Sequence, residues 1–259
     1  DASLATAIAL VGRLGKTPIV CNDSPGFVVN RILIPYLSEA MMMAVEGMPI
    51  TTIDEAMKRW GMPMGPFELL DEVGLDIAVH VLGSLHSSAS DNVKVVTAMN
   101  LAIQKKWLGK KTGRGFYMHG KKRAKKLEVN AEFTSALAGG ATAPPAAADE
   151  PQRLAAAGAI QWRLVLPMVN EMARLLEEEI IDSTDTIDLA TVFGTGLAPF
   201  RGGLASFANS IGPDVIAHRL EELAREHGPR FAPAQLLRQL EQSHERLPME
   251  STVAKMYST

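Results

Sequence analysis

Arg31-Ile32-Leu33-Ile34-Pro35-Tyr36-Leu37-Ser38-Glu39 is answered 132 positions later by Arg163-Leu164-Val165-Leu166-Pro167-Met168-Val169-Asn170-Glu171. Arg, Pro and Glu fall at matching places, and a further Glu follows each stretch, as Glu46 and Glu178. Two unrelated amphipathic helices have no reason to share an internal proline, which costs a helix one hydrogen bond. The pair is therefore read as an internal duplication of a helical unit. Ile53, Asp54 and Ala56 recur as Ile187, Asp188 and Ala190, and Pro66-Phe67 as Pro199-Phe200 at an offset of 133. Between the copies, Gly139 to Pro151 is rich in Ala, Pro and Gly and reads as a linker. The copies differ at one chemically telling position, Asn30 against Trp162.

Working outward, Ser24-Pro25 is a helix start, with a capping oxygen and Pro at the first helical position. The helix is expected from Pro25 to about Glu46, kinked at Pro35, with Ile34, Leu37, Met41, Ala44 and Val45 on one face. Thr52 opens a helix over Ile53 to Trp60 that Gly61 closes, and Gly65-Pro66 opens another that ends at Gly74. Leu75 to His86 and Asp91 to Trp107 read as helices, Ser90 capping the second. Leu108 to Tyr117 is too glycine-rich to be regular. Upstream, Ala2 to Leu14 reads as an amphipathic helix and Thr17 to Cys21 as a short buried strand. No other segment reads as a strand, so its partners are expected on the N-terminal side, in something larger.

Composition narrows the function classes. With 259 residues and 47% apolar content the chain can build real cores. A net charge of −3 and a pI near 6.1 argue against a chain-wide affinity for nucleic acid or anionic membrane. The single cysteine, Cys21, forms no internal disulfide, and no apolar run is long enough to span a bilayer, which points to the cytoplasm or an organelle matrix. His80, His86, His119, His218, His227 and His244 are scattered without ligand spacing, so no metal is expected. Gly194-Thr195-Gly196-Leu197-Ala198-Pro199 begins like a dinucleotide fingerprint, but Pro stands at its last glycine and a helix precedes it. It reads as a helix-to-helix turn. Gly109 to Gly115 holds Lys and Thr in the wrong order for a phosphate-gripping loop.

Two features could carry chemistry. On helical spacing Asn30 neighbours Gly26, Phe27, Leu33 and Ile34, so its amide is expected along an apolar face. There it is either satisfied by nearby backbone or aimed at a ligand. Lys105 to Lys126 carries ten Lys and Arg residues with Trp107, Phe116 and Tyr117 among them. That pattern suits either phosphate and base binding or a basic surface loop with anchoring aromatics.

Asp23-Ser24-Pro25-Gly26-Phe27-Val28-Val29-Asn30-Arg31 resembles the signature that opens the helical domain of 3-hydroxyacyl-CoA dehydrogenases. Met62-Pro63-Met64-Gly65-Pro66-Phe67-Glu68-Leu69-Leu70-Asp71 and Lys111-Thr112-Gly113-Arg114-Gly115-Phe116-Tyr117 resemble that family's next two motifs, in order. The second copy is similar to the extra helical domain of the long, multifunctional fatty-acid oxidation members, although Leu197-Ala198 stands where Phe-Pro is usual. The resemblance implies an all-α fold of two tandem domains like the C-terminal domain of 6-phosphogluconate dehydrogenase, preceded by a residual helix and strand. Its parts would be 1–23, the end of a Rossmann domain; 24–138, the first helical domain; 139–152, the linker; and 153–259, the second.

In that family NAD and a catalytic His with its Glu belong to the Rossmann domain, which would lie upstream of Asp1. No cofactor is therefore expected in this chain, and no turnover from it alone. Asn30 would be the catalytic-centre residue contributed here, its amide fixing the His and the substrate's 3-oxygen. Pro63, Met64 and Leu69 would line the acyl-CoA pocket, with Pro66 and Phe67 positioning the helix beneath it. The implied chemistry is hydride transfer from a 3-hydroxyacyl-CoA to NAD. Implied partners are the Rossmann and hydratase/isomerase parts and a thiolase subunit, as in related complexes; nucleic acid and a transmembrane segment are not. Trp162 would make the second copy a structural cover for the first. The rival readings are a non-catalytic helical module for assembly or acyl-CoA binding, and a nucleic-acid binder using Lys105 to Lys126.

Overall fold

The computed structural model describes residues 2–84, 92–120, 127–139, 141 and 149–249. The first copy runs α2 (Val29–Val45), α3 (Ile50–Trp60), α4 (Pro66–Val73), α5 (Leu75–Ser84), α6 (Val93–Gln104) and α7 (Ala131–Ala138), after an isolated α1 (Ala2–Arg13). The second runs α8 (Glu150–Glu177), α9 (Thr184–Ala190), α10 (Leu204–Ile211), α11 (Pro213–His227) and α12 (Gln235–Ser243). Two two-residue strands, β1 (Tyr117–Met118) and β2 (Glu128–Val129), pair antiparallel with Tyr117 opposite Val129. The fold is all-α apart from this hairpin. No helix among the described residues is long and apolar enough to cross a membrane.

α2 lies along α8 at the centre of the molecule. α2, and α8 from Ile160 onward, are buried nearly all round rather than on the single face expected for α2: Ile32, Tyr36, Ala40 and Met41 on one, and Leu164, Leu166, Met168 and Met172 on the other, have no exposed surface. A helix apolar on all sides belongs inside, and one continuous core passes through both copies. Each continues through its proline, Pro35 or Pro167, which frees the carbonyl four residues earlier, that of Arg31 or Arg163.

Those arginines lock the copies together. Arg31 donates from Nε to Glu171 at 2.7 Å and grips both oxygens of Glu178. Arg163 donates from Nε to Glu39 at 2.6 Å and from Nη1 and Nη2 to Glu46 at 2.6 and 2.7 Å. The Arg and two Glu of each copy, which help reveal the duplication, thus form two reciprocal clasps, the self-complementary pattern of a two-fold interface built within one chain. Glu39 receives a second arginine, Arg230, at 2.8 Å, and Glu171 receives Arg174 at 3.2 Å. The clasp hydrogen bonds hold the Glu178 carboxyl below its usual range. At Glu46 burial acts upward, but Arg163 outweighs it and the carboxyl is again lowered.

A second repeated device caps a helix from a distance. Asp54 on α3 accepts from the backbone N–H of Phe67 and Glu68 at the start of α4, and Asp188 on α9 from Ala205 and Ser206 at the start of α10. The carboxylates press so close that a Cβ on Gly65 or Gly203 would meet them at 2.3 and 2.4 Å. This geometry corrects one sequence equivalence. Gly65 matches Gly203 and Phe67 matches Ala205, an offset of 138, while Pro199-Phe200 lies in a separate 3-10 turn, Pro199–Arg201.

Several boundaries also move. α2 begins at Val29, not Pro25, because Gly26 and Phe27 take positive φ of 80° and 48°, and Ser24 closes a turn onto Phe27 instead of capping the helix. α3 starts at Ile50 behind Pro49. Asn92 caps α6, accepting from Lys94 and Val95, and the helix ends at Gln104 rather than Trp107; the expected cap at Ser90 lies outside the described residues, as does the end of the expected helix at His86. α8 begins at Glu150, capped by Asp149, inside the stretch read as linker. Thr17 to Cys21 is in no sheet; Asn22 N–H instead donates to the Ile180 carbonyl of the second copy at 2.8 Å. Conversely, β1 and β2 arose where no strand was read.

Candidate functional site

Asn30 stands in the first turn of α2, and it is exposed rather than buried on an apolar face. Asn30 is one of the residues lining a groove of about 670 Å3 whose walls are α1 (Leu4, Ile8, Val11), the segment Thr17 to Cys21 and the turn Gly26 to Val29. Since helical spacing does not apply before Val29, Gly26 and Phe27 are turn residues beside Asn30 and not the same face of one helix. An amide donor at a helix N-terminus, where backbone N–H groups are also unpaired, suits an oxygen that carries partial negative charge. α1 buries none of its residues, and Leu10 and Leu14, which do not line the groove, are 55% and 67% exposed.

Pro63, Met64 and Leu69 do not line this groove. Pro63 is exposed, while Met64 and Leu69 are half-buried and Leu69 packs on the core. What links them to Asn30 belongs to the second copy. A Cβ on Gly194 would strike the Val29 side chain at 2.6 Å, one on Gly196 would lie 2.9 Å from Pro63, and one on Gly61 would strike Ala198 at 2.6 Å. The segment Gly194 to Ala198 therefore runs across the first copy from the neighbour of Asn30 to the neighbour of Pro63. Sequence reading had dismissed it as a turn because it judged only its fitness for a dinucleotide.

Pro66 and Phe67 begin α4 as expected, Phe67 being fully buried against Phe116 at 4.8 Å between ring centres. The two later motifs meet in one structure around Asp71. Its carboxylate accepts from the N–H of Phe116 and Tyr117 at 2.8 and 2.9 Å and contacts His119 Nε2 at 2.7 Å. Gly109 and Gly115 have no room for a Cβ against Asp71, and Tyr117 donates its hydroxyl to Asp54 at 2.6 Å. Burial pushes Asp71 upward, and pushes Asp54 up to about 7 against the pull of Tyr117 and the α4 N–H groups. These groups are closed around structural partners, which makes them the scaffold of the site.

The basic segment is likewise committed locally. Lys105 pairs with Glu132, Lys110 with Glu72, Lys111 with Asp76, and Arg114 with Glu132. Trp107, Phe116 and Tyr117 are buried and present no face for a base to stack on; residues 121–126 lie outside the described residues. Gly194 to Pro199 begins within a π-helical turn, Thr191–Thr195, and not after a strand, so the residues present do not fit a dinucleotide there. Trp162, the counterpart of Asn30, packs its ring on Phe207 at 6.4 Å beneath Arg219.

The architecture is a helical domain and its copy, clasped face to face, with a polar helix start beside an apolar groove in the first copy. The family description "3-hydroxyacyl-CoA dehydrogenase, C-terminal domain" matches residues 26–119 and again 158–252, and the chain belongs to that family. It is 39% identical over 240 residues to a fatty acid oxidation complex subunit alpha of Idiomarina loihiensis and 38% identical over 236 residues to that of Shewanella amazonensis. These alignments cover 93% and 91% of the chain but 32% of each relative, so the chain spans about a third of their length. Among solved structures, 3-hydroxybutyryl-CoA dehydrogenase from Escherichia coli superposes with a TM-score of 0.68 at 25% identity, covering 93% of this chain and 65% of the other. The dehydrogenase part of multifunctional enzyme 1 from C. elegans shares the fold at a TM-score of 0.62 and 21% identity, covering 91% and 52%.

Proposed function

We propose that this chain supplies the acyl-CoA side of an NAD-dependent 3-hydroxyacyl-CoA dehydrogenase of fatty-acid oxidation. The observation that carries the reading is the exposed Asn30, at a helix start and lining a mostly apolar groove, in a chain of this family. Asn30 holds the 3-oxygen of the substrate and orients the proton-accepting His, which with its Glu and the dinucleotide site lies outside residues 1–259. A Rossmann domain seated on α1 and on Thr17 to Cys21 would complete the groove, consistent with an α1 that buries none of its residues. Residues 1–23 then close that domain, 24–138 and 153–259 are the catalytic and covering helical domains, and 139–152 joins them. Pro63, Met64 and Leu69 border the acyl-CoA beyond the reacting carbon.

Alone, the chain is expected to bind acetoacetyl-CoA without oxidising NADH. Calorimetry and an NADH assay on the purified chain test this, and turnover by the chain alone would sink the division of labour. Binding unchanged by Asn30→Ala would favour a purely assembling helical module.

A further inference from the structure

The segment that bridges Asn30 and Pro63 continues into two residues that the fold does not consume. Phe200 is 78% exposed, with its ring edge laid over Gly61. Arg201 donates from Nε to the Trp60 carbonyl at 2.9 Å and lies 4.1 Å over the Trp60 ring and 5.2 Å from that of Phe200. Among the described residues no acceptor meets its Nη1 or Nη2, in contrast to Arg31 and Arg163, whose forks are filled by carboxylates. Burial alone shifts this guanidinium, downward, as it does a cation without a counter-ion. The preceding π-helical turn, a rare geometry that recurs at functional sites, leaves Phe193 70% exposed at the Val29 end of the same segment.

We propose that Phe200 and Arg201 seat the adenine-nucleotide end of the CoA thioester, an inference that rests on the reading of Asn30 above. An open aromatic face stacks on a base, and a guanidinium fork with both terminal nitrogens free can donate to phosphate oxygens. The placement is consistent with one extended ligand. Gly194 touches the neighbour of Asn30 and Phe200 lies over Gly61, at most about 20 Å away along the chain, with Pro63 between them. The reacting carbon would lie at the Asn30 end and the nucleotide at the Phe200 end, along the seam between the copies. The second copy then contributes to binding and is more than a cover.

Phe200 is the clean position to change, because its ring is mostly in water and Arg201 also holds the Trp60 carbonyl. Acetoacetyl-CoA, acetoacetyl-pantetheine and NADH would be titrated against the whole chain by calorimetry. Phe200→Ala is expected to weaken acetoacetyl-CoA about tenfold, Phe200→Trp to retain it, and Arg201→Lys, which keeps the charge but loses the planar fork, to weaken it. The pantetheine thioester should be indifferent to all three. Equal Kd for acetoacetyl-CoA in Phe200→Ala overturns the seat, as does a loss confined to NADH, which would make the base that of the dinucleotide. Binding of both thioesters with no preference for the CoA form overturns the seat and leaves the Asn30 reading standing. Binding of neither overturns both.

Discussion

The two copies use the same parts for different ends. Each has a long central helix with Arg and two Glu, a second helix whose Asp caps the next, and a glycine that lets that Asp approach. The first copy then adds α6, the Asp71-centred glycine loop, the β1–β2 hairpin and α7, and carries Asn30; the second carries Trp162 and α12. What stayed the same is what holds the halves together, and what diverged is the surface away from the clasps. Interface residues in a duplicated pair are doubly constrained, since each must fit its own copy and the other, whereas a helix start that faces outward is free to gain or lose an amide.

The clasps are alike in sequence but not in burial, and that inequality sets the largest expected effect. Arg163 and Glu39 are 9% and 3% exposed, so Arg163→Ala strands a buried carboxylate with only Arg230 and should cost about 3–5 kcal/mol in chemical denaturation. Arg31→Ala should cost less, about 1–3 kcal/mol, because Glu171 at 11% is less buried than Glu39 and keeps Arg174, while the outer carboxylates, Glu178 at 47% and Glu46 at 44%, are alike. Equal losses would mean the clasps are balanced and the burial argument is wrong.

The distant caps come next. Asp54 is raised to about 7 from an ordinary 3.8, so its folded form holds the proton more tightly than the unfolded chain. Its contribution is full below pH 3.8 and declines as pH rises through 7. Glu46 and Glu178 are lowered and act oppositely: their contribution is present above about 4.5 and lost in acid. Denaturation midpoints between pH 4 and 7 should therefore flatten in Asp54→Asn. Asp188 is raised by burial too, so Asp188→Asn should move the slope the same way; a steeper decline in either variant would contradict the sign. Smallest of all, Lys110→Ala breaks an exposed pair with Glu72 and should change stability by less than about 1 kcal/mol.

Much of this was legible because repetition in sequence reports repetition in structure. Arg31, Pro35, Glu39 and Glu46 announced the duplication, but spacing along one helix does not say which helix it meets, so their reciprocal pairing was not readable. The equivalence of Pro66-Phe67 with Pro199-Phe200 misled because a dipeptide can recur by chance. The true register is fixed by Gly65 and Gly203, whose meaning appears only when Asp54 and Asp188 press against them. Asn30, the position at which the copies differ in sequence, was expected to be buried and is exposed, because positive φ at Gly26 and Phe27 ends helical spacing and no propensity predicts that for Phe27. The two-residue strands are too short to leave a pattern, and they exist because Asp71 fixes Phe116 and Tyr117.

The account rests on the asymmetry between Asn30 and Trp162, and steady-state kinetics with 3-hydroxybutyryl-CoA and NAD, in a protein that joins this chain to a dinucleotide-binding domain, test it most directly. Asn30→Ala should lower kcat about a hundredfold, as loss of one oxyanion donor does, while Trp162→Ala loosens the fold and leaves kcat near that of the unchanged enzyme. An Asn30→Ala enzyme with undiminished kcat would contradict the account.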